Sequence, residues 1–210
     1  EGWGQDAAWS DSRGQLEYLL QETRTRDIAI LLDMHTCSDT ANHTAGSPED
    51  CPGYTRADWV SDLEDMAGLA ETYTNIVGID LFNEPHELTW NSWREMVNEG
   101  SNAILARNPR VLIFVEGVGG FSSYGSFNPF WGENLYEALS NPVDVPASRL
   151  VFSPHVYGET VSPQDYFDDP SFPMNMPAIW DEHFGYLRDA GYVIAPGEFG
   201  GYYDSDHVGD

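Results

Sequence analysis

The sequence predicts an α/β fold, a (β/α)8 TIM barrel of which this chain holds only the middle strands. Short apolar segments alternate with helical patterns, no glycine-rich phosphate-binding motif follows any of them, and polar residues gather just after several of them. An open doubly wound sheet is the competing architecture, and a phosphate-binding motif would favour it. Because a complete barrel needs about 250 residues and eight strands, a chain of 210 residues is expected to be a single domain, 1–210, truncated at both ends.

The predicted strands are short, continuous apolar runs, which is typical of parallel strands covered on both faces. In chain order they span 28–32, 76–82, 111–115, 150–152 and 192–195. Several predicted helices begin at an acidic, Asn or Ser residue that can cap free N–H groups. The helices lie at about 14–25, 57–73, 91–107, 133–140 and 176–190. Three long loops follow strands and are expected on the functional face. They span 36–56, 117–132 and 158–175.

The chain is strongly acidic. It has 9 Lys+Arg against 35 Asp+Glu, a formal net charge of −26, and all of its cations are arginines. This charge removes the general attraction to nucleic-acid phosphates and anionic lipid, so neither is an expected partner. Acid excess without lysine favours adaptation to high salt, which would screen the repulsion, over an ordinary acidic protein. No window approaches the roughly 18–20 apolar residues of a membrane span.

The two cysteines, Cys37 and Cys51, lie in one stretch rich in Gly, Pro and Asp. A disulfide between them is the favoured interpretation, and free thiols come second. Zinc comes third, because His35 and His43 are nearby but the spacing fits no common zinc signature. We therefore expect no metal and no cofactor.

Two apolar strands end in a carboxylate. One runs into Asn83, Glu84 and Pro85, and the other ends in Gly197 and Glu198. The carboxyl ends of parallel strands meet on the functional face of a barrel. Cleavage of a glycosidic bond needs one carboxylic acid and one carboxylate. The pair Glu84 and Glu198 therefore predicts glycoside hydrolysis.

These segments resemble glycoside hydrolase family 5, the former cellulase family A, and most closely its bacterial and archaeal endoglucanases. The matching segments are 31–35, 79–86, 112–118, 150–157 and 196–200, which look like strands three to seven of the family's barrel, together with loops at 131–135 and 169–177. The resemblance covers about residues 14–201. It implies that only about the third to seventh strands are present. The family's strand-two arginine would precede Glu1, and its strand-eight tryptophan would follow Asp210.

The resemblance implies a single catalytic domain of a retaining endo-β-1,4-glucanase, which cleaves internal β-1,4-glucosidic bonds through a glycosyl-enzyme intermediate. Glu84 would be the acid/base and Glu198 the nucleophile. The supporting residues would be Asn83 on the sugar 2-hydroxyl, His155 near the acid/base, Tyr157 donating to the nucleophile and His35 on the sugar before the cleaved bond. The substrate would be a β-1,4-glucan polysaccharide or oligosaccharide, and the complete enzyme would be a secreted monomer.

Four further expectations concern single residues and rival functions. Trp131 is expected to be a sugar platform, with a packed loop aromatic as the alternative. Glu116 is grouped with it at the substrate site, as a floor carboxylate that supports the histidines or as a barrel-interior partner of an arginine. The remaining histidines are expected at the surface: His43, His86, His183 and His207. The rival functions are a non-catalytic polysaccharide-binding fragment and a family 5 enzyme for another β-glycan such as mannan.

Overall fold

The computed structural model describes residues 12–36, 45–119 and 129–202. The strands are β1 (Ile30–Asp33), β2 (Ile76–Asp80), β3 (Leu112–Val115), β4 (Leu150–Phe152), β5 (His155–Tyr157), β6 (Val193–Ile194) and β7 (Glu198–Gly200). The α-helices are α1 (Ser12–Arg24), α2 (Arg56–Thr72), α3 (Trp90–Arg107), α4 (Met176–Trp180) and α5 (Tyr186–Asp189). Within these ranges no helix is both long enough and apolar enough to cross a bilayer.

The main sheet has five strands in the order β1-β2-β3-β4-β6, and all neighbours are parallel. Strand order follows chain order, with helices or long loops between the strands, so every crossover runs in one direction around the sheet. In this register Asp33 at the end of β1 lies beside Asp80 at the end of β2. The predicted α/β fold with five parallel segments is confirmed, and the carboxyl ends of the strands carry polar residues as expected.

Two of the predicted strands are interrupted at a proline. Beyond the proline each segment forms a second short strand, and these two short strands pair with each other. β5 follows β4 after Ser153 and Pro154, and β7 follows β6 after a segment that contains Pro196. A proline has no N–H to give to a ladder, which interrupts regular pairing. The same two chain segments then pair again as β5 and β7, with His155 beside Glu198. This short second ladder carries three of the residues assigned to the site from the sequence.

Helix α2 begins where the sequence provides a cap. The Thr55 side chain accepts from the Asp58 N–H, and the Asp58 carboxylate accepts from the Thr55 N–H. This reciprocal pair satisfies two N–H groups that the first turn leaves free. The helix then buries Trp59, whose indole N–H donates to the Leu81 carbonyl just past β2. In α3, Trp93 donates to the Glu116 carbonyl in the same way. Two buried tryptophans thus fix the strand ends that lead into the site.

The predicted helix at 133–140 is wrong. This segment consists of turns, and Asn134 forms an isolated antiparallel bridge with Val118. The buried Glu133 carboxylate accepts from the Phe130 N–H. The Asn134 and Leu135 N–H groups are paired with other segments, and the Ala138 N–H closes an isolated turn on the Leu135 carbonyl, so no continuous helical ladder forms. The predicted helix at 176–190 is present, but a π-helical turn at Asp181–Gly185 separates α4 from α5.

Candidate active site

Glu84 lies four residues beyond β2 in a backbone conformation that is unusual for its residue type. Its φ is +50°, in the left-handed region, and Pro85 follows it. Such a conformation costs of order 1 kcal/mol in a residue other than glycine and persists only where the surroundings enforce it. The enforcing contact is a hydrogen bond from the Glu84 N–H to Glu116 Oε2, at 2.9 Å. A second acid thereby holds the backbone of Glu84 in place.

The turn after Glu84 is bound to the segment that follows β3. The Gly119 N–H donates to the Pro85 carbonyl at 2.8 Å, and the Glu87 N–H donates to the Gly119 carbonyl at 3.0 Å. The His86 N–H donates to the Gly46 carbonyl at 3.1 Å. Three backbone bonds therefore fix the loop that carries Glu84, although the loop itself has no regular secondary structure.

Glu198 begins β7 and lies beside His155 in the second ladder. Tyr157 is two residues further along the neighbouring strand, on the same face because strand side chains alternate. Its hydroxyl donates to Glu198 Oε2. Burial, and then this hydrogen bond to the carboxylate, raise the pKa of Tyr157, so the phenol stays protonated and remains a donor. The parallel pairing of β5 and β7 thus delivers a donor to one side of Glu198.

Glu84 and Glu198 lie close together, with His155 between them. Nδ1 of His155 is 3.2 Å from Glu84 Oε1 and 3.9 Å from Glu198 Oε2. One possible metal-ligand atom from each of the three side chains, a carboxylate oxygen or an imidazole nitrogen, lies within 4.8 Å of the other two. An approach this close between one oxygen of each carboxylate favours the roughly 5–5.5 Å separation of carboxyl groups in a retaining glycosidase over the roughly 6.5–9.5 Å of an inverting one. A triad of this spacing could also hold a metal ion, so the predicted absence of a metal stays a prediction.

Glu116 lies beneath this pair rather than in the open cleft, with only 1% of its surface exposed. Its Oε1 is 3.2 Å from His155 Nε2, and its Oε2 accepts from the Glu84 N–H. Burial, and then the charge of Asp80, raise the pKa of Glu116 well above its usual range. The carboxyl group therefore contacts His155 and the Glu84 backbone, which fits the supporting role given to it from the sequence and not a contact with substrate or an arginine.

Two further acids at the strand ends were not assigned to the site from the sequence. Asp80 ends β2 with 3% of its surface exposed, and burial followed by the charge of Asp33 raises its pKa well above its usual range. Asp33 ends β1, where its Oδ2 is 2.6 Å from His35 Nδ1. Each aspartate is the last residue of an apolar strand, and this position was the signal for a residue at the functional face.

Asn83 has a side-chain oxygen that is out of contact with solvent and has no hydrogen-bond partner among the described residues. Its backbone N–H is bound to the Met34 carbonyl at 3.1 Å, so the residue itself is fixed. A buried acceptor without a partner is uncommon in a folded protein, and a bound ligand is one explanation for it. Asn83 lines a cleft together with His35, Glu84 and Trp131. The cleft therefore contains four of the residues that the sequence indicated.

Trp131 stacks on a histidine that was expected at the surface. The rings of Trp131 and His86 are parallel within 5°, with centroids 3.7 Å apart. His86 is only 4% exposed, because its Nδ1 turns back to the Glu84 carbonyl at 2.7 Å. The expectation for His86 is therefore wrong, and its position two residues after Glu84 was the signal that could have found it. One ring face of Trp131 packs on His86, while 40% of the residue remains exposed.

The expectation for His183 is wrong as well. His183 is 5% exposed and pairs with the fully buried Glu133, with 2.8 Å between Nδ1 and Oε1. The positions of His43 and His207 lie outside the described residues. So does Cys37, while Cys51 is disulfide-bonded and no described cysteine is free.

The family of the chain follows from comparison with known proteins. The family model described as cellulase (glycosyl hydrolase family 5) matches residues 5–209. The chain belongs to glycosyl hydrolase family 5. The major extracellular endoglucanase of Xanthomonas campestris pv. campestris is 37% identical over 214 residues, which cover 93% of this chain and 41% of that protein. Endoglucanase C of Cellvibrio japonicus is 34% identical over 265 residues, which cover 93% of this chain and 36% of that protein.

Solved structures of this family share the fold. An endocellulase from Pyrococcus horikoshii in complex with cellotetraose superimposes with a TM-score of 0.85 at 33% identity, covering 96% of this chain and 59% of that one. The catalytic domain of the Xanthomonas campestris enzyme gives a TM-score of 0.80 and covers 91% of this chain and 57% of that one. The family 5 chain thus contains part of a TIM barrel, as predicted, and spans well under two thirds of the relatives it matches.

Proposed function

We propose that the protein containing this family 5 chain is a retaining endo-β-1,4-glucanase. The observation that supports it most is the juxtaposition of Glu84 and Glu198 around His155, with Tyr157 donating to Glu198. A retaining glycosidase needs two carboxyl groups about 5–5.5 Å apart, one as acid/base and one as nucleophile. The two glutamates have different hydrogen-bond partners, since the Tyr157 hydroxyl donates to Glu198 while Glu84 lies 3.2 Å from His155 Nδ1.

In the first step, a Glu198 oxygen attacks the anomeric carbon while Glu84 gives its proton to the departing glycosidic oxygen. The bond from the anomeric carbon to that oxygen breaks, and a glycosyl ester forms on Glu198. The Tyr157 hydroxyl holds Glu198 Oε2, which leaves the other oxygen of the carboxylate for the attack. His155, fixed by Glu116 at 3.2 Å, positions the Glu84 carboxyl.

In the second step, Glu84 acts as a base. It accepts a proton from a water molecule as the water oxygen attacks the anomeric carbon of the ester. The bond to Glu198 breaks and its carboxylate is regenerated. Because each step inverts the anomeric carbon once, the product keeps the β-configuration of the substrate.

The cleft contains groups suited to binding a glucan. The side-chain oxygen of Asn83 can accept a hydrogen bond from a sugar hydroxyl, which supports the 2-hydroxyl contact proposed for it. The half-exposed ring of Trp131 offers an apolar face to a pyranose, and His35 lines the same cleft with most of its side chain exposed. The chain is similar to proteins named as endoglucanases and to an endocellulase solved with cellotetraose. We therefore propose β-1,4-glucan as substrate.

We also propose that the enzyme is secreted, monomeric and adapted to high salt. The disulfide at Cys51, for which we propose Cys37 as partner, supports an oxidising compartment. One relative is named as an extracellular enzyme. The net charge of −26 supports salt adaptation.

The test of the function is the stereochemistry and specificity of hydrolysis by the full-length protein. Cellohexaose is digested and followed by proton NMR, and we expect internal cleavage with the β-anomer appearing first. Carob mannan serves as the competing substrate. Appearance of the α-anomer first would contradict retention, a higher kcat/KM on mannan would contradict the substrate, and binding without any turnover would favour a non-catalytic module.

A further inference from the structure

Three of the four residues in segment 130–133 each contact a different part of the site. Phe130 packs edge-on against the ring of Tyr157, with centroids 5.8 Å apart. Trp131 stacks on His86. Gly132 lies so close to Glu116 that an added Cβ would be 2.3 Å from Glu116 Oε2. Glu133 faces away from the cleft, toward the π-helical turn.

Gly132 sets how closely this segment approaches Glu116 and His155. Its φ is +76°, a conformation that glycine adopts without strain. The Gly117 N–H donates to the Gly132 carbonyl at 2.8 Å, next to Glu116. An added Cβ would also lie 3.3 Å from His155 Cγ. The backbone of the segment therefore forms one wall of the pocket that holds Glu116 and His155, and a shift of the segment would move that wall.

Glu133 anchors the segment from behind. Its side chain has no solvent exposure, and its two oxygens make different contacts: Oε2 accepts from the Phe130 N–H and Oε1 is 2.8 Å from His183 Nδ1. The Leu135 N–H donates to the His183 carbonyl at 3.0 Å. The Tyr186 hydroxyl donates to the Leu135 and Tyr136 carbonyls. Glu133 is thus the link between the segment at the cleft and the helix behind it.

His183 occupies the middle of the π-helical turn at Asp181–Gly185. A π-turn widens the helix by one residue and is rare, and it is found mainly at functional positions. Here the widened turn places both the side chain and the carbonyl of His183 toward the chain that follows Trp131. Neither group touches the cleft, so the turn has no direct part in the proposed chemistry.

We infer that Glu133 and His183 are a positioning pair that holds segment 130–133 against Tyr157, His86 and Glu116. The inference rests on the proposed function for its kinetic consequence. The pair touches neither substrate nor the two glutamates, and it acts through Phe130, Trp131 and Gly132. Misplacement of positioned groups by about 1 Å costs up to a hundredfold in rate, so loosening the pair should lower kcat/KM by about tenfold to a hundredfold.

The variants separate the effect of losing the hydrogen bond between Glu133 and His183 from the effect of changing the size of the side chain. His183→Leu removes the donor, whereas His183→Asn places an amide nitrogen near the position of Nδ1 and keeps it. Glu133→Gln retains the shape, but its amide oxygen can accept from only one of the two N–H groups and its amide nitrogen leaves the other without an acceptor. Glu182→Gln makes the same charge change on the exposed side of the same turn and is the matched control.

The experiment measures kcat and KM on cellotetraose and hydrogen exchange of residues 129–135 in the full-length protein. We expect His183→Leu and Glu133→Gln to lower kcat/KM by about tenfold or more and to speed exchange in this segment. His183→Asn and Glu182→Gln should remain near wild type in both readouts. The double variant of Glu133 and His183 should be no worse than the poorer single variant.

Three results would overturn the inference: unchanged kinetics and exchange in His183→Leu, equal loss in His183→Asn and His183→Leu, or a lower melting temperature with kinetics unaltered. If His183→Leu does not accumulate as folded protein, Glu133→Gln and His183→Asn provide the comparison. Failure of the proposed function is a separate outcome, because wild-type protein would then turn over no cello-oligosaccharide. Hydrogen exchange still decides the positioning role in that case.

Discussion

Tyr157 donates a hydrogen bond to Glu198 across the parallel pair β5 and β7, in which His155 lies beside Glu198. Tyr157 and Glu198 are 41 positions apart in the chain. They come together because two barrel strands each continue past a proline and then pair again as β5 and β7. The bond holds one oxygen of the carboxylate in place.

Replacing Tyr157 by Phe should lower kcat by about a hundredfold, because removal of one positioned donor at a reacting group typically costs 10²–10³ in rate. Steady-state kinetics on cellotetraose measures the effect. Tyr54→Phe is the control, since Tyr54 also donates to a carboxylate, that of Asp62, at 2.6 Å, but this bond is exposed at the surface and lies outside the cleft. Equal kcat values for the two variants would remove Tyr157 from the mechanism.

Replacing Glu84 by Gln should affect the two chemical steps differently. With an activated aryl cellobioside, whose leaving group needs no proton, glycosylation should proceed while deglycosylation slows, because no base remains for water. Added azide should restore turnover by at least about tenfold, as an anion needs no base. Release of the aryl group measures both, and Glu95→Gln on the exposed face of α3 is the control. A lack of azide rescue would argue against Glu84 as acid/base.

The fold was largely predictable because its signals are local. Each apolar run ends at a polar residue, and the parallel sheet follows from alternation with helices. The 133–140 segment was mispredicted because its backbone pairs with Val118 and its buried acid pairs with His183. Both contacts join residues that are far apart in the chain, so neither produces a periodic pattern of apolar residues in the sequence. Segment 133–140 has a helix-like sequence, but these two tertiary contacts hold it in a non-helical conformation.

The site was predictable to the extent that its residues follow apolar runs in the sequence. Glu84, Glu198, His155 and Tyr157 all lie a few residues after such a run, and the structure brings them together. The position of His86 two residues after Glu84 places it near the site, but its burial depends on stacking against Trp131, a tertiary contact that the sequence does not reveal. The burial of Asp80 is likewise a property of the sheet interior rather than of its sequence neighbours.

Replacing Asp80 by Asn should stabilise the protein at neutral pH and not in acid. Burial raises the folded-state pKa of Asp80 above its usual value, so its folded form favours the protonated carboxyl. The free energy of unfolding of the wild type therefore falls as the pH rises from about 4 towards the raised pKa, by up to about 1.4 kcal/mol for each pH unit. Asn mimics the protonated group and does not titrate.

The measurement is the free energy of urea unfolding of both proteins from pH 4 to pH 8. The advantage of Asp80→Asn should grow with pH by about 1 kcal/mol or more. Asp144→Asn, an exposed aspartate, should have no pH-dependent difference from wild type. A constant difference between Asp80→Asn and wild type would mean that Asp80 is ionised in the folded state.

Salt should raise the stability of the full-length protein strongly, because the net charge of −26 is repulsive and the Debye length falls from about 10 Å at 0.1 M to about 3 Å at 1 M. We expect the thermal midpoint to rise by at least about 10 °C between 0.1 M and 3 M KCl. Sucrose at equal osmolality is the control, because it strengthens burial without screening charge. A midpoint that is flat in KCl, or that rises equally in sucrose, would contradict salt adaptation.

The identity of the nucleophile is most directly tested by trapping the covalent intermediate in the full-length protein. An activated 2-deoxy-2-fluoro-β-cellobioside forms the glycosyl ester but loses it slowly, so the ester accumulates and can be located by peptide mass spectrometry. We predict one label per chain, on Glu198, and no label in Glu198→Gln. A label on any other carboxylate, or time-dependent turnover of the reagent with no labelled peptide, would contradict the assignment.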